Sequence, residues 1–361
     1  MSLTVLSVAY PFAPVGEDAA GGAEQVLGLV ERGLVRRGHR SIVVACQGSR
    51  PAGELVPTAP LPPSIDESAR RRAWGEHRRA IGFVLDREPV DLVHLHGVDF
   101  HQYLPPAGVP VLATLHLPPS FYPDDALRPL RPATFLQCVS RAQREACPKA
   151  ARISAVVPNG VPVARLERLP LAPPRGRQVV ALGRICPEKG FHLALEAAHR
   201  ADVDLCLAGE LFPYDEHRRH FEQEIRPRLD SRRVFLGPVG LEAKRRLLSS
   251  ALAVLVPSLV EETSSLVAME ALACGTPVIA FARRALGEIV EHGRTGFLVS
   301  DVAGMAAAIP RAEGIDPEAC RATARDRFSA EAMVERYLDL YRRILRPGRE
   351  QTPGPLEAAE A

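Results

Sequence analysis

The feature that most constrains the fold is an alternation of short apolar runs with amphipathic helical patterns. Residues 3–9 form an apolar run typical of a buried strand, and residues 24–37 carry apolar side chains at helical spacing up to Gly38. The same rules predict further strands over 41–45, 91–96 and 109–115. Strands that alternate with helices in this way predict a parallel sheet covered on both faces.

This alternation stops at a proline-rich stretch, residues 161–178, which we interpret as a linker. It then starts again, with predicted strands over 179–182, 204–208, 234–236, 253–256 and 277–281 and predicted helices over 190–200, 241–251 and 266–274. An amphipathic helix is predicted over 329–346, and the polar, proline-rich end of the chain, 347–361, is expected to be disordered.

A chain of 361 residues is long enough for two domains of about 150 residues each. We therefore predict an α/β fold with two Rossmann-like, doubly wound parallel-sheet domains, one over 1–165 and the other over 166–330, and a C-terminal helix over 331–346. Ligands of such sheets bind beyond the carboxyl ends of the strands, so the expected site is a cleft between two facing domains.

Composition argues against several classes of function. The formal net charge of +2 is not that of a nucleic-acid binder. Seven cysteines, an odd number without a Cys-x-x-Cys pair, indicate reduced thiols and a cytoplasmic protein. A signal peptide is not apparent, and no apolar run approaches the ~18–20 residues of a membrane span, so stable membrane insertion is not expected. None of these features indicates the oligomeric state.

The loop after the predicted strand 179–182 contains Gly183-Arg184 and Lys189-Gly190. This order places Arg184 and Lys189 at the carboxyl end of a strand and near a helix start, where exposed amides and the helix dipole stabilise phosphate. An arginine fork and a lysine point charge suit a diphosphate. Lysine occurs only at positions 149, 189 and 244, which makes Lys189 more informative than an arginine. A basic pair at an ordinary helix start is the alternative.

Two glutamates lie on either side of the start of the helix predicted over 266–274. Glu262 precedes Glu270 by eight residues, and Thr263-Ser264-Ser265 between them are favourable N-cap residues that leave the amides of 265–267 facing a phosphate. Carboxylates accept vicinal hydroxyl pairs well, so one is suited to a sugar and the other to a ribose. The alternative is an acidic helix start favoured by the dipole.

Two further groups lie in the first half of the chain. Gly21-Gly22 precede the first helix and allow the backbone to approach a ligand closely, although an ordinary turn explains them equally well. His94 and His96 flank the end of one predicted strand, and His116 follows the next. Histidines at such positions can serve as hydrogen-bond donors or proton shuttles. For each one taken singly, a structural histidine is the favoured interpretation.

Other motifs argue against common alternatives. The sequence has neither Gly-x-Gly-x-x-Gly after the first strand nor a P-loop, which removes the usual dinucleotide and ATP-motor interpretations. Asp202-Val-Asp204 matches the Asp-x-Asp of metal-dependent sugar transferases, but it precedes its strand, so we assign no metal. The arginine-rich run 70–79 is interpreted as a solvated helix face, with attraction to an anionic acceptor or membrane surface as the alternative.

Together these motifs resemble glycosyltransferase family 4, a group of retaining enzymes with the GT-B fold. Gly183-Arg184…Lys189-Gly190 resembles the phosphate motif of that family, and Glu262…Glu270 resembles its paired glutamates. Four further runs resemble other segments of the family: Val157-Pro-Asn-Gly-Val161, Pro277-Val-Ile-Ala, Gly287-Glu-Ile-Val and Gly293-Arg-Thr-Gly-Phe-Leu-Val. The resemblance covers roughly residues 3–345.

The resemblance implies a nucleotide-diphosphate-sugar donor, no cofactor and no metal. It implies catalytic roles for Arg184, Lys189, Glu262 and His116. It assigns substrate binding to Gly21, Gly22, Glu270, Ser264, Ser265, Leu266, Val267, Gly209 and Val239. By this resemblance Arg184 and Lys189 stabilise the leaving diphosphate, Glu270 holds the ribose, and the last helix crosses back onto the first domain.

The sequence departs from the family at Thr263-Ser264-Ser265, where Pro-Phe-Gly is frequent. Losing that glycine removes backbone freedom beside the sugar, so the identity of the donor sugar is expected to depend on this segment. We expect UDP-glucose or a close relative as donor and a small soluble molecule, such as a secondary metabolite or pterin, as acceptor. The alternatives are a polysaccharide or lipid-linked acceptor, or a GT-B nucleotide-sugar epimerase.

Overall fold

The computed structural model describes residues 2–167 and 176–346. Residues 168–175 of the predicted linker and the whole of the predicted tail 347–361 lie outside the described residues. The chain forms two compact units. The first contains the described residues up to Asn159 together with those from Ala330 onward, and the second contains the described residues from Gly160 to Ser329.

The first unit is built on a parallel sheet of seven strands. These are β1 (Thr4–Val8), β2 (Arg40–Cys46), β3 (Glu54–Thr58), β4 (Leu92–Leu95), β5 (Val111–Leu115), β6 (Thr134–Cys138) and β7 (Ile153–Val156). Their order is β3-β2-β1-β4-β5-β6-β7, and every neighbouring pair is parallel. The central strands are buried along nearly their whole length, as expected for apolar runs that meet helices on both faces.

Five helices accompany this sheet: α1 (Gly22–Arg36), α2 (Glu67–Leu85), α3 (Asp124–Leu127), α4 (Arg141–Ala146) and α13 (Ala330–Ile344), the last helix of the described chain. α13 packs against α1. The contact needs Gly33, because a Cβ there would lie 2.6 Å from Cγ1 of Val334. On α13, Tyr337 and Tyr341 are fully buried, so the end of the chain completes the core of the first unit.

The second unit is built on a parallel sheet of six strands. These are β8 (Val179–Leu182), β9 (Leu205–Ala208), β10 (Arg233–Phe235), β11 (Ala253–Val256), β12 (Val278–Phe281) and β13 (Gly296–Val299), in the order β10-β9-β8-β11-β12-β13. Its helices are α5 (Val163–Leu166), α6 (Phe191–Arg200), α7 (Asp215–His220), α8 (Leu241–Ser250), α9 (Leu266–Ala273), α10 (Arg284–Ile289), α11 (Val302–Ala308) and α12 (Pro317–Arg327).

The predicted α/β fold class with two parallel-sheet units is confirmed. The strands predicted over 179–182 and 253–256 have the predicted bounds, and the other predicted strands and helices are present with shifted ends. The structure also contains four strands that the sequence analysis did not predict: β3, β6, β7 and β13. Within residues 2–167 and 176–346, no helix is both long and apolar enough to span a membrane.

Candidate active site

The second unit has its topological switch point between β8 and β11. From β8 the chain proceeds to β9 and β10 on one side of the sheet, whereas β11, β12 and β13 lie on the other side. The loops after β8 and β11 therefore diverge and open a crevice at the carboxyl end of the sheet, where α/β proteins bind ligands. Because the Arg184–Lys189 loop follows β8 and the Glu262 loop follows β11, two predicted motifs meet at this point.

Glycines allow the loop after β8 to approach the segments that follow both neighbouring strands, β9 and β11. Gly183 has a φ of 151°, and a Cβ on Gly209, after β9, would lie 1.7 Å from the carbonyl oxygen of Gly183. Gly190 has a φ of 64°, and a Cβ there would lie 2.2 Å from the carbonyl oxygen of Pro257, after β11. These backbone approaches exclude any side chain and hold Lys189 against the β11 loop.

Lys189 and Glu262 form an ion pair at the switch point. Nζ of Lys189 lies 2.6 Å from Oε1 of Glu262, and the hydroxyl of Ser258 donates to the same oxygen. The Glu262 side chain is only 7% exposed, so the ammonium and hydroxyl replace the water that a buried carboxylate loses. Arg184 is half-buried and donates no hydrogen bond to any residue in the described ranges, which leaves its guanidinium available for an anion.

The start of α9 differs in one respect from expectation. The helix begins at Leu266 as predicted, with Ser265 at the N-cap, but no side chain of the described residues caps its amides. Of the three residues predicted to favour the N-cap, Thr263-Ser264-Ser265, it is Ser265 that takes this position, and the Oγ atoms of Ser264 and Ser265 are shielded from solvent and form no hydrogen bond with the described residues. The unpaired hydroxyls of Ser264 and Ser265 therefore follow Glu262 directly in the chain. The uncapped first-turn amides of the helix, including those of Leu266 and Val267, come next.

Glu270 lies one turn further along α9 and is 2% exposed. Its Oε1 accepts a hydrogen bond from Nζ of Lys244, which lies on the neighbouring helix α8 and is itself buried. Lys244 is absent from the predicted site residues. The scarcity of lysine in the chain, which drew attention to Lys189, could also have indicated Lys244. Gly209 follows β9, and Val239 lies in the turn that leads to α8, so both are at the same edge of the sheet.

In the first unit, Gly21 is the N-cap of α1. A Cβ at this position would lie 1.8 Å from Oε2 of Glu24, a buried residue of the first helical turn. The carboxylate therefore occupies the space that the glycine leaves. This gives Gly21 a structural reason to be glycine, and the expected approach of Gly21 and Gly22 to a diphosphate stays a prediction.

The three histidines form one cluster, in which His94 and His96 are buried and His116 is half-buried. His94 is structural, because its Nδ1 lies 2.7 Å from the hydroxyl of Tyr341 and its Nε2 lies 2.7 Å from that of Thr114. Nδ1 of His96 lies 3.0 Å from Nε2 of His116. Burial lowers the pKa of His94 and of His116 to about 3 and holds the pKa of His96 well below its usual range. All three rings are neutral at neutral pH, which favours hydrogen bonding over the proton-shuttle alternative.

Comparison with known proteins shows the family to which the chain belongs. The family described as "Glycosyltransferase Family 4" matches residues 20–165, and the family described as "Glycosyl transferases group 1" matches residues 176–312. Together they cover most of the chain, including the His116 cluster and both lysine–glutamate pairs. The chain is a GT4-like glycosyltransferase with the GT-B fold.

This glycosyltransferase is similar to several named proteins. It is 35% identical over 167 residues to phosphatidyl-myo-inositol mannosyltransferase of Mycolicibacterium smegmatis, covering 42% of this chain and 41% of the relative. It is 34% identical over 182 residues to glycogen synthase of Mycobacterium tuberculosis, covering 47% and 42%. These matches span less than half of each relative's length. The solved structure of AviGT4, a glycosyltransferase involved in avilamycin A biosynthesis, is 25% identical with a TM-score of 0.69, covering 96% of this chain and 99% of that one.

Two groups of possible metal ligands occur in this glycosyltransferase. Asp202 and Asp204 precede β9, as predicted, and Arg232 binds both carboxylates at 2.5 and 2.6 Å. The fold also brings the ligand atoms of Cys186, Glu188 and His217 within 4.8 Å of one another, a cluster that sequence spacing does not reveal. Burial raises the pKa of the Cys186 thiol to about 11, and Arg184 acts electrostatically on all three groups, so their surroundings disfavour a cation.

Replacing Ser265 by alanine tests the unpaired hydroxyl. An ordinary N-cap serine contributes about 1 kcal/mol to stability, but this hydroxyl caps nothing. We expect Ser265→Ala to change the free energy of unfolding by less than about 0.5 kcal/mol. If the hydroxyl binds the donor, KM for the nucleotide sugar should rise by about 2- to 10-fold.

Asp301→Ala provides the control in the same unit. The Asp301 carboxylate accepts from the amide of Gly304 at 2.7 Å and so caps α11. This variant should lose about 1 kcal/mol of stability and keep the wild-type KM. The opposite pattern, destabilisation by Ser265→Ala with an unchanged KM, would make Ser265 a purely structural residue.

Proposed function

We propose that the chain transfers a sugar from a nucleotide-diphosphate donor to a hydroxyl of an acceptor, with retention of anomeric configuration and without a metal ion. The observation that carries this proposal is the Lys189–Glu262 ion pair, which lies where the strand order of the second sheet reverses. That position supplies a cation, a carboxylate and uncapped helix amides in one crevice. A leaving diphosphate beside a sugar needs this combination.

The chemistry follows from the charges. Cleavage of the bond between sugar and phosphate transfers negative charge to the leaving diphosphate, and Lys189 with Arg184 provides preorganised positive charge there. The amides of Leu266 and Val267 at the start of α9 add the positive end of a helix dipole. Glu262 accepts hydroxyl hydrogens of the donor sugar, and Glu270 accepts those of the ribose. A same-face attack, in which a phosphate oxygen helps to take the acceptor proton, gives retention without a metal.

We propose UDP-glucose or a close relative as the donor and a small soluble molecule as the acceptor. The support for a small acceptor is the similarity to AviGT4, a glycosyltransferase involved in avilamycin A biosynthesis, which covers nearly the whole chain. A lipid-linked or polysaccharide acceptor is the second candidate, because the two curated relatives are named for phosphatidyl-myo-inositol and glycogen. In this proposal the donor sugar contacts Thr263-Ser264-Ser265, a segment that differs from the Pro-Phe-Gly frequent in the family, so this segment is expected to influence which sugar is bound.

Donor selection is tested by thermal shift with UDP-, GDP-, ADP- and dTDP-sugars. We expect one nucleotide to raise the melting temperature more than the others, since a ligand that binds only the folded state stabilises it by mass action. The selected donor is then incubated with small-molecule, glycan and lipid acceptors, with and without EDTA. The anomeric proton of the product, observed by NMR, reports retention or inversion.

The outcomes separate the alternatives. Transfer with retention in EDTA supports the whole proposal, whereas loss of activity in EDTA contradicts metal independence. Conversion of the nucleotide sugar without any acceptor identifies an epimerase. Binding of a donor without transfer or hydrolysis, whichever acceptor is added, identifies a sensor and contradicts the proposed reaction.

A further inference from the structure

Two of the three lysines of this arginine-rich chain pair with the two glutamates of the site. Lys189 binds Glu262, and Lys244 binds Glu270. The third, Lys149, is exposed. Elsewhere in the described residues the cation of a side-chain ion pair is an arginine, apart from a single histidine contact. The use of lysine at both glutamates calls for a physical reason.

The Lys244–Glu270 pair is the more deeply buried of the two. The Lys244 side chain is 10% exposed and that of Glu270 is 3% exposed. α8 packs against α9, and the hydroxyl of Thr276, just beyond α9, donates to the carbonyl of Leu248 at 2.6 Å. The two helices are thus joined near their ends, and the ammonium is held at a fixed place beside the carboxylate.

An ammonium and a guanidinium would leave this carboxylate in different states. Lys244 donates to Oε1, and within the described residues no group donates to Oε2. A guanidinium at this position would match the carboxylate with two parallel hydrogen bonds and occupy both oxygens. A single-point lysine therefore neutralises the buried charge and still leaves one oxygen of Glu270 to accept hydroxyl hydrogens.

We infer that Lys244 is a positioning residue, which orients Glu270 so that its remaining oxygen recognises the ribose hydroxyls of the donor nucleotide. The inference rests on the proposed function, because it requires a nucleotide donor. It makes Lys244 act through Glu270, without a contact of its own with the reacting atoms. It also predicts that arginine is a poor substitute, which a merely structural ion pair would not require.

The test measures ribose recognition separately from folding. Calorimetry compares UDP with 2′,3′-dideoxy-UDP, and the corresponding ADP and GDP pairs are run in parallel, on the full chain and on Lys244→Arg and Lys244→Met. The wild type should bind the ribose form about 10- to 100-fold more tightly, the effect of hydrogen bonds to a charged acceptor. Both variants should reduce this ratio to within about threefold. Glu270→Gln sets the level of lost recognition, and Lys149→Arg is the matched control that should keep the wild-type ratio.

Each outcome has one meaning. If Lys244→Arg melts near the wild-type temperature and keeps the full preference for the ribose form, the inference is wrong and the pair is structural. If one variant does not fold, the other decides in the same way. If the wild type binds UDP and its dideoxy form equally, the ribose role of Glu270 fails and the inference fails with it, while transfer activity is unaffected. If the wild type binds no nucleoside diphosphate, the proposed function itself is overturned.

Discussion

Lys189→Ala should lower kcat by about 10²- to 10³-fold, the loss typical of removing one preorganised donor from a developing anion. The ammonium of Lys189 lies 2.6 Å from Glu262 at the switch point. In the proposed reaction the leaving diphosphate lies there and gains charge only as its bond to the sugar breaks. The interaction is therefore stronger in the transition state than in the bound donor, so the loss should appear in kcat more than in KM. Initial rates at saturating donor measure it directly.

The same change has a cost in stability that must be separated from catalysis. Lys189→Ala leaves the Glu262 carboxylate, 7% exposed, with the Ser258 hydroxyl but no cation. The Lys189 side chain is 27% exposed, so the loss should be about 1–3 kcal/mol, below that of a fully buried pair. Denaturant unfolding of the wild type and the variant gives this difference.

Two further variants separate the effects. Lys149→Ala removes an exposed lysine and should leave both turnover and stability unchanged. The double variant Lys189→Ala/Glu262→Gln removes the unpaired buried charge and should regain most of the lost stability without regaining turnover. Near-normal turnover of Lys189→Ala with the wild-type melting temperature would show that Lys189 is not part of the catalytic machinery.

The central strands were predictable because their burial leaves a strong sequence signal. β8 and β11 are four-residue apolar runs that helices cover on both faces, and their predicted bounds match the structure. β3 lies at the edge of its sheet, has no buried residue and contains Pro57. A proline in a half-polar segment argues against a strand, because proline is tolerated mainly in edge strands. Whether a segment is an edge strand depends on the strand order, which the sequence does not show.

The residues of the site were predictable from motifs, but their contacts were not. Lys189 and Glu262 are 73 residues apart, and they meet only because β8 and β11 are neighbours at the switch point. Lys244 lies 26 residues before Glu270 on a different helix, outside any motif. N-cap preferences describe averages over many helices, so they favoured Thr263, Ser264 and Ser265 alike. In the structure Ser265 takes the N-cap position, with φ −118° and ψ 95°, and its hydroxyl makes no capping hydrogen bond.

Gly209→Ala should be the most destabilising single-methyl change near the site. The added Cβ would lie 1.7 Å from the carbonyl oxygen of Gly183, and the φ of 149° at Gly209 lies in a region that side chains rarely adopt. Backbone strain of this kind costs about 1–3 kcal/mol, and overpacking against a backbone atom adds about 1–3 kcal/mol more. Since the backbone of Gly183 must move, Arg184 moves with it, and we expect donor affinity to fall together with the melting temperature.

Gly237→Ala is the matched control for that change. Gly237 follows the neighbouring strand β10, and its carbonyl accepts from the amide of Gly209 at 2.9 Å. It has a φ of 74°, but nothing lies within 4 Å of an added Cβ. The control should lose only about 1–2 kcal/mol through backbone strain and keep its donor affinity. Equal destabilisation of both variants, with donor affinity retained in both, would show that the contact between Gly209 and Gly183 does not position the phosphate loop.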